Sequence, residues 1–160
     1  MTTPLPRGGA RRMAWHGFGL YTVGMHDHLQ TGSLGEQVAA NFLSNLGHTI
    51  LDRNVRMKFG EIDIISRDPM GVLIFTEVKT LSRAYALSPE DNLTRAKFRK
   101  LSRACSAYAN ARPELVSNSL GWRIDLVAVV INFTLPLAPE YRTFSFGKNN
   151  FAVSRYENIS

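Results

Sequence analysis

Cysteine is nearly absent from this chain of 160 residues: Cys105 is the only one, so no intrachain disulfide can form, and a reducing cytoplasm is the expected compartment. Long apolar runs are missing as well. No stretch of about 18 apolar residues occurs, which excludes a transmembrane helix. Acidic residues are the third shortage. Thirteen Asp and Glu stand against nineteen Lys and Arg, a net charge of +6 with a pI near 9.8. Such a balance favours a polyanionic partner, nucleic acid before a membrane surface.

What is present suffices for one folded domain. A hydrophobic content of 44% supports an ordinary packed core, and the chain contains no internal repeat or low-complexity tract. The N-terminus stands apart. Arg7, Arg11 and Arg12 precede a mildly apolar stretch through Tyr21 in the manner of a signal peptide, but His16, Gly17, Gly19 and Gly24 interrupt it. Residues 1–30 are therefore expected to form a flexible tail, and 31–160 the domain. His26-Asp27-His28 offers metal-ligand residue types, yet without a scaffold or further ligands it reads as part of a polar tail.

Ser33 and Glu36 form a capping-box pattern, Leu34, Val38, Phe42 and Leu46 recur at helical spacing, and Gly47 supplies a left-handed stop, predicting a helix over 34–46. A strand over 48–57 follows, with a bend or bulge at Asp52-Arg53-Asn54 and a solvated His48 at its start. Residues 89–112 read as a helix. Phe98, Leu101, Cys105 and Tyr108 form its apolar stripe, which makes Cys105 a core residue, while Arg95, Arg99 and Arg103 form a basic stripe opposite. That stripe is either a phosphate track or a solvated face. Lys97 flanks the apolar stripe, within reach of whatever the helix covers. Trp122 to Phe133 is an apolar strand whose Arg123 and Asp125 are expected to pair with each other or with the acids described next. Residues 141–146 are a candidate last strand, after a loop at 135–140.

The chemistry sits between Phe59 and Thr80. Two strands there, Glu61 to Ser66 and Val72 to Thr80, carry Glu61, Asp63, Glu77 and Lys79 among Ile, Val, Leu and Phe. Alternation puts Glu61, Asp63 and Ile65 on one face and Ile62, Ile64 and Ser66 on the other, and it places Glu77 and Lys79 together. The connection Asp68-Pro69-Met70-Gly71 decides which face each acid shares. A two-residue loop separates Asp63 from Glu77; a three-residue loop with Gly71 at positive φ sets them side by side. The second register is expected, because Gly71 stands where the bulge needs it. Two adjacent carboxylates repel, so one binds a proton or a cation lies between them, and Mg²⁺ suits a pair of protein carboxylates completed by water and phosphate oxygens. Zinc is disfavoured, since no Cys or His is near. With Lys79 on the same face, the parts suit metal-assisted phosphodiester hydrolysis. A plain Glu-Lys ion pair uses the same residues.

Asp63 followed by Glu77-Val78-Lys79 resembles the Asp, then Glu-x-Lys signature of the restriction-endonuclease-like, or PD-(D/E)xK, superfamily. The wider frame resembles its YraN-like branch of bacterial proteins, related to archaeal Holliday-junction resolvases. It includes Gly35-Glu36, Gly60-Glu61-Ile62-Asp63, Phe75 to Thr80, Leu93 to Lys97 and Arg123 to Val129. The superfamily's Pro is Ile62 here, and Leu81 stands where YraN-like proteins usually carry Arg.

The resemblance implies an α/β fold, a mixed β-sheet flanked by helices. It assigns Asp63 and Glu77 to a metal, Lys79 to catalysis and Glu36 to an accessory acidic role; the capping box explains Glu36 equally well. The implied activity is DNA endonuclease cleavage with Mg²⁺ or Mn²⁺, on branched or structured DNA, with Lys97, Arg95, Arg99 and Arg103 as nucleic-acid contacts. Junction resolvases act as dimers, so a homodimer is open. Two other classes stay open as well: a non-catalytic nucleic-acid-binding protein on the same scaffold, and a structural or partner-binding protein whose charges form only ion pairs.

Overall fold

Among the described residues strands outnumber helices, and the ends of the elements follow from a few capping and turn residues. The computed structural model describes residues 28–81, 93–133, 141–146 and 148–159. Helix α1 (His28–Asn45) leads into strands β1 (Thr49–Met57), β2 (Gly60–Arg67) and β3 (Leu73–Leu81). Helix α2 (Arg95–Ala111) and a short 3₁₀ turn (Pro113–Leu115) precede β4 (Trp122–Ile131), β5 (Arg142–Phe146) and β6 (Asn149–Tyr156).

α1 stops where expected. Gly47 has φ +88°, its N–H donates to Ser44 O at 3.0 Å, and His48 N–H donates to Leu43 O at 3.1 Å, the paired bonds of a Schellman motif. Its start differs from the expectation. The helix begins at His28, so residues 28–30 belong to it and not to a tail, and Ser33 and Glu36 lie in its interior. The capping-box reading is therefore overturned: a cap is a local pattern, and the helix continues through it. Residues 1–27 lie outside the described residues.

α2 begins at Arg95, later than the expected 89, because Thr94 caps it: Thr94 Oγ1 accepts from Lys97 N–H at 3.2 Å. Of the earlier positions, 89–92 lie outside the described residues. The helix ends before Pro113, which disfavours helical geometry at Arg112 (φ −138°).

The six strands form one sheet in the order β1-β2-β3-β4-β6-β5. Only β3 and β4 run parallel, and α2 lies in the connection between them. Ile64 packs with Val38, Ala39 and Leu43 of α1, whereas its neighbour Ile65 packs with Leu101, Cys105 and Tyr108 of α2. Adjacent strand residues face opposite ways, so the helices cover opposite faces of a mixed α/β sheet, as the resemblance implies. Phe75 anchors the α2 side, edge-on to Tyr108 at 5.7 Å and to Trp122 at 5.4 Å.

Three details of the strands matter for the site. β1 is irregular where expected, with a register shift between Ile50 and Asp52 and Asn54 at φ +53°. Strict alternation in β2 is overturned: Ile62 packs in the same cluster as Ile65, three positions on, and the β1–β2 ladder passes over Asn54 and Asp63. At the other edge β5 is present, and β6, absent from the sequence reading, inserts between β4 and β5. The loop expected at 135–140 lies outside the described residues.

Candidate active site

Turn chemistry sets the register that builds the site. Asp68 N–H donates to Val72 O and Gly71 N–H to Asp68 O, each at 3.0 Å, with Gly71 at φ +91°. Asp68 Oδ1 also accepts from the N–H groups of Met70 and Val72 at 2.9 Å. This is the three-residue loop. The β2–β3 ladder accordingly runs from Arg67 opposite Leu73 to Ile64 opposite Thr76, so the next position along sets Asp63 against Glu77.

There the two strands stop pairing, and β3 continues to Leu81 against β4 alone. Asp63 stands at the mouth of this notch. Its Oδ2 accepts from Val78 N–H at 2.7 Å. Burial pushes its pKa up to about 7, and the Glu77 carboxylate adds to the rise. The Val78 hydrogen bond opposes it, Glu36 adds further, and Lys97 opposes. Near neutrality Asp63 is thus divided between a proton and a charge, and among the described residues no ion pair involves it.

Glu77 is buried, 5% exposed, and shares its face with Phe75 and Lys79. Two ammonium groups converge on its Oε1: Lys97 Nζ at 2.6 Å and Lys79 Nζ at 3.6 Å. Burial and then the adjacent Lys97 push the Lys79 pKa down from the ordinary lysine value, against the pull of Glu77 and Asp63. For Lys97 burial also acts downward, but the hydrogen bond to Glu77 and the neighbouring groups raise it on balance.

Glu36 reaches this region because Gly35 lets α1 lie against the end of β3. A Cβ at Gly35 would fall 1.8 Å from Thr80 Oγ1, a clash that no side chain could make. The helix therefore approaches at backbone distance, and Glu36, half-buried beside that contact, is close enough to raise the Asp63 pKa. With the capping role removed, this electrostatic contact with Asp63 is what the structure offers for Glu36.

The other candidates separate from this group. Arg95, Arg99 and Arg103 lie exposed on α2, away from its buried Leu101, Cys105 and Tyr108. Glu61 makes a 3.8 Å ion pair with the exposed Arg56. Cys105 is buried, which pushes its thiol pKa up to about 12 and rules out a nucleophilic thiolate. His48 overturns the expectation of a solvated ring. It is 6% exposed, with Nδ1 3.1 Å from Ser66 Oγ of the neighbouring strand, and burial lowers its pKa.

Arg123 and Asp125 pair with each other, not with the acids of the notch. Asp125, fully buried, accepts from Arg123 Nε at 3.0 Å, from Arg155 Nε and Nη2 at 3.0 and 2.8 Å, and from Asn158 N–H at 2.9 Å. Arg123 also reaches Asp68 and Glu157, each at 3.4 Å. Sequence reasoning missed Arg155, Asp68 and Glu157 as members, since they join from distant parts of the chain. The direct Lys97–Glu77 bond was missed as well; the position of Lys97 beside the apolar stripe was its only local signal.

Among the described residues no three His, Cys, Asp or Glu side chains group closely enough to form a full metal cage. Asp63 and Glu77 offer a carboxylate pair, the donor set that suits a hard cation completed by water or phosphate oxygens.

The family described as "Uncharacterised protein family UPF0102" matches residues 35–129. A UPF0102 protein of Desulforamulus reducens is 37% identical over 102 residues, 63% of this chain and 81% of that protein. One from Symbiobacterium thermophilum is 47% identical over 100 residues, 62% of this chain and 81% of its own length. Among solved structures, a repair endonuclease from Pyrococcus abyssi aligns with TM-score 0.37 and 12% identity, over 70% of this chain. The chain spans only 42% of that endonuclease.

Proposed function

The chain belongs to the UPF0102 family, also called YraN, and on that premise we propose that it is a metal-dependent endonuclease hydrolysing DNA phosphodiester bonds, with branched or structured DNA as its substrate. A family described as uncharacterised brings no chemistry with it, so the reading rests on side chains. The observation that carries it is the carboxylate pair of half-buried Asp63 and buried Glu77, with Lys79 on the same face 3.6 Å from Glu77.

Asp63 and Glu77 would hold Mg²⁺ or Mn²⁺, which when bound supplies Lewis-acid polarisation of the phosphate and a water of lowered pKa. A pKa near 7 for Asp63 fits this assignment, because a divalent charge would relieve the repulsion that burial and Glu77 impose. Lys79 then faces the reacting phosphate, and its lowered pKa suits a group that orients water or stabilises charge on the phosphoryl oxygens. Glu36 supports Asp63 from α1. Arg95, Arg99 and Arg103, exposed on the helix that delivers Lys97, offer contacts to flanking phosphates.

One observation favours a second reading. Lys97 already neutralises Glu77 at 2.6 Å, as a non-catalytic nucleic-acid-binding protein on the same scaffold would require. Incubating wild type and Asp63→Ala with labelled linear, single-stranded, flapped and four-way-junction DNA, with and without Mg²⁺ or Mn²⁺, separates the two. The endonuclease reading expects metal-dependent cutting by the wild type alone. Binding of DNA without any turnover supports the second.

A further inference from the structure

Lys97 bonds Glu77 more closely than Lys79 does, yet it is the more exposed of the two. Its Nζ is 2.6 Å from Glu77 Oε1, against 3.6 Å for Lys79, while its side chain is 48% exposed, against 25%. A charge-assisted bond of this length to a buried carboxylate is strong, but a half-exposed lysine on a flexible stem can exchange it for water. Nothing in its own helix turn retains it, since the first turn of α2 contains no acidic residue.

From this geometry we infer that Lys97 is the resident counter-ion of the metal position: it holds Glu77 until a divalent ion displaces it, and it thereby sets the metal affinity of the site. The inference rests on the metal-site reading above. A divalent ion on Glu77 sits roughly 2.1 Å from the oxygen. An ammonium left on the same carboxylate would then face it at roughly 4 Å, two positive charges in a largely buried site. One of them must leave, and Lys97 has the route to solvent. Once displaced, it stays anchored by its backbone N–H to the Thr94 cap, with its stem free to extend into solvent. Lys97 is a positioning residue in this scheme.

The test is a calorimetric titration of Mn²⁺ into the full chain, as wild type, Lys97→Met, Lys97→Arg and Lys97→Met/Glu77→Gln, with thermal melting of each. Lys97→Met is expected to bind Mn²⁺ on the order of tenfold more tightly, the size of an ordinary coupling between two sites. Lys97→Arg, which keeps the counter-charge, should stay near the wild type, and the double variant should lose the gain. Without metal Lys97→Met should melt below the wild type, and Mn²⁺ should raise its melting temperature by more. Lys97→Gln provides the same comparison should Lys97→Met not fold. If the wild type binds Mn²⁺ and Lys97→Met binds it no better, this inference is overturned while the metal reading stands. If folded wild type and folded Lys97→Met both fail to bind Mn²⁺, both are overturned.

Discussion

Two charged clusters lie in the same sheet, and they differ in how completely their acids are satisfied. Asp125 is fully buried and accepts hydrogen bonds from two arginines and a backbone amide, with Asp68 and Glu157 balancing Arg123 further out. Asp63 is half-buried, yet among the described residues it accepts one hydrogen bond, from Val78 N–H, and its pKa rises to about 7. A buried acid that is fully partnered ties elements together. One left short of positive charge is costly to keep, and it stands where a cation and a phosphate can complete it.

The sharpest way to break this comparison is to remove an acid from each cluster. Asp125→Ala leaves Arg123 and Arg155 without their shared partner and should destabilise the fold by about 3–5 kcal/mol in urea unfolding. Cleavage by the fraction still folded should persist. Lys79→Ala should do the converse, lowering cleavage by roughly 10²–10³-fold with little change in the unfolding midpoint. If Lys79→Ala unfolds the protein while Asp125→Ala is neutral, the roles assigned to the clusters are reversed.

The raised pKa of Asp63 makes a pH prediction whose sign follows from proton linkage. Between the ordinary aspartate value of 3.8 and about 7 the native state keeps a proton that the unfolded chain has released, so this group's contribution to stability is present below 3.8 and is lost as pH rises through about 7. Asp63→Asn cannot lose that proton. Without metal it should match the wild type near pH 4 and exceed it at pH 8 by about 2 kcal/mol, after allowance for screening. Paired urea titrations at the two pH values check this; equal stability at both would mean that Asp63 is better partnered than its surroundings indicate.

The smallest effect concerns the exposed arginines. Arg99→Ala should weaken DNA binding uniformly across sequences and reduce the slope of log affinity against log salt by about one unit. An unchanged slope would make the stripe a solvated face only.

The sequence announced the notch more fully than the network around Asp125. Gly71 at positive φ marked the loop that aligns Asp63 with Glu77, and period-2 alternation put Lys79 beside Glu77, because both signals act over a few residues. Asp125 collects Arg155 and Asn158 from β6 and the segment after it, and no local pattern encodes such a meeting. His48 was misread for a related reason: exposure is set by what packs around a residue, here with Ser66 of β2 as a partner, not by the turn that precedes it. The capping box at Ser33 was a correct local pattern inside a longer helix. β6 was missed because its apolar run, Phe151 to Val153, is short.

The most direct test of the central claim is metal-dependent cleavage of a labelled four-way junction by wild type and Asp63→Ala, purified identically and matched for folded fraction and DNA binding. The account predicts that the wild type cuts with Mg²⁺ or Mn²⁺ and that Asp63→Ala binds the junction without cutting it. Equal cutting by both, or binding by both with no cutting under either metal, would contradict it.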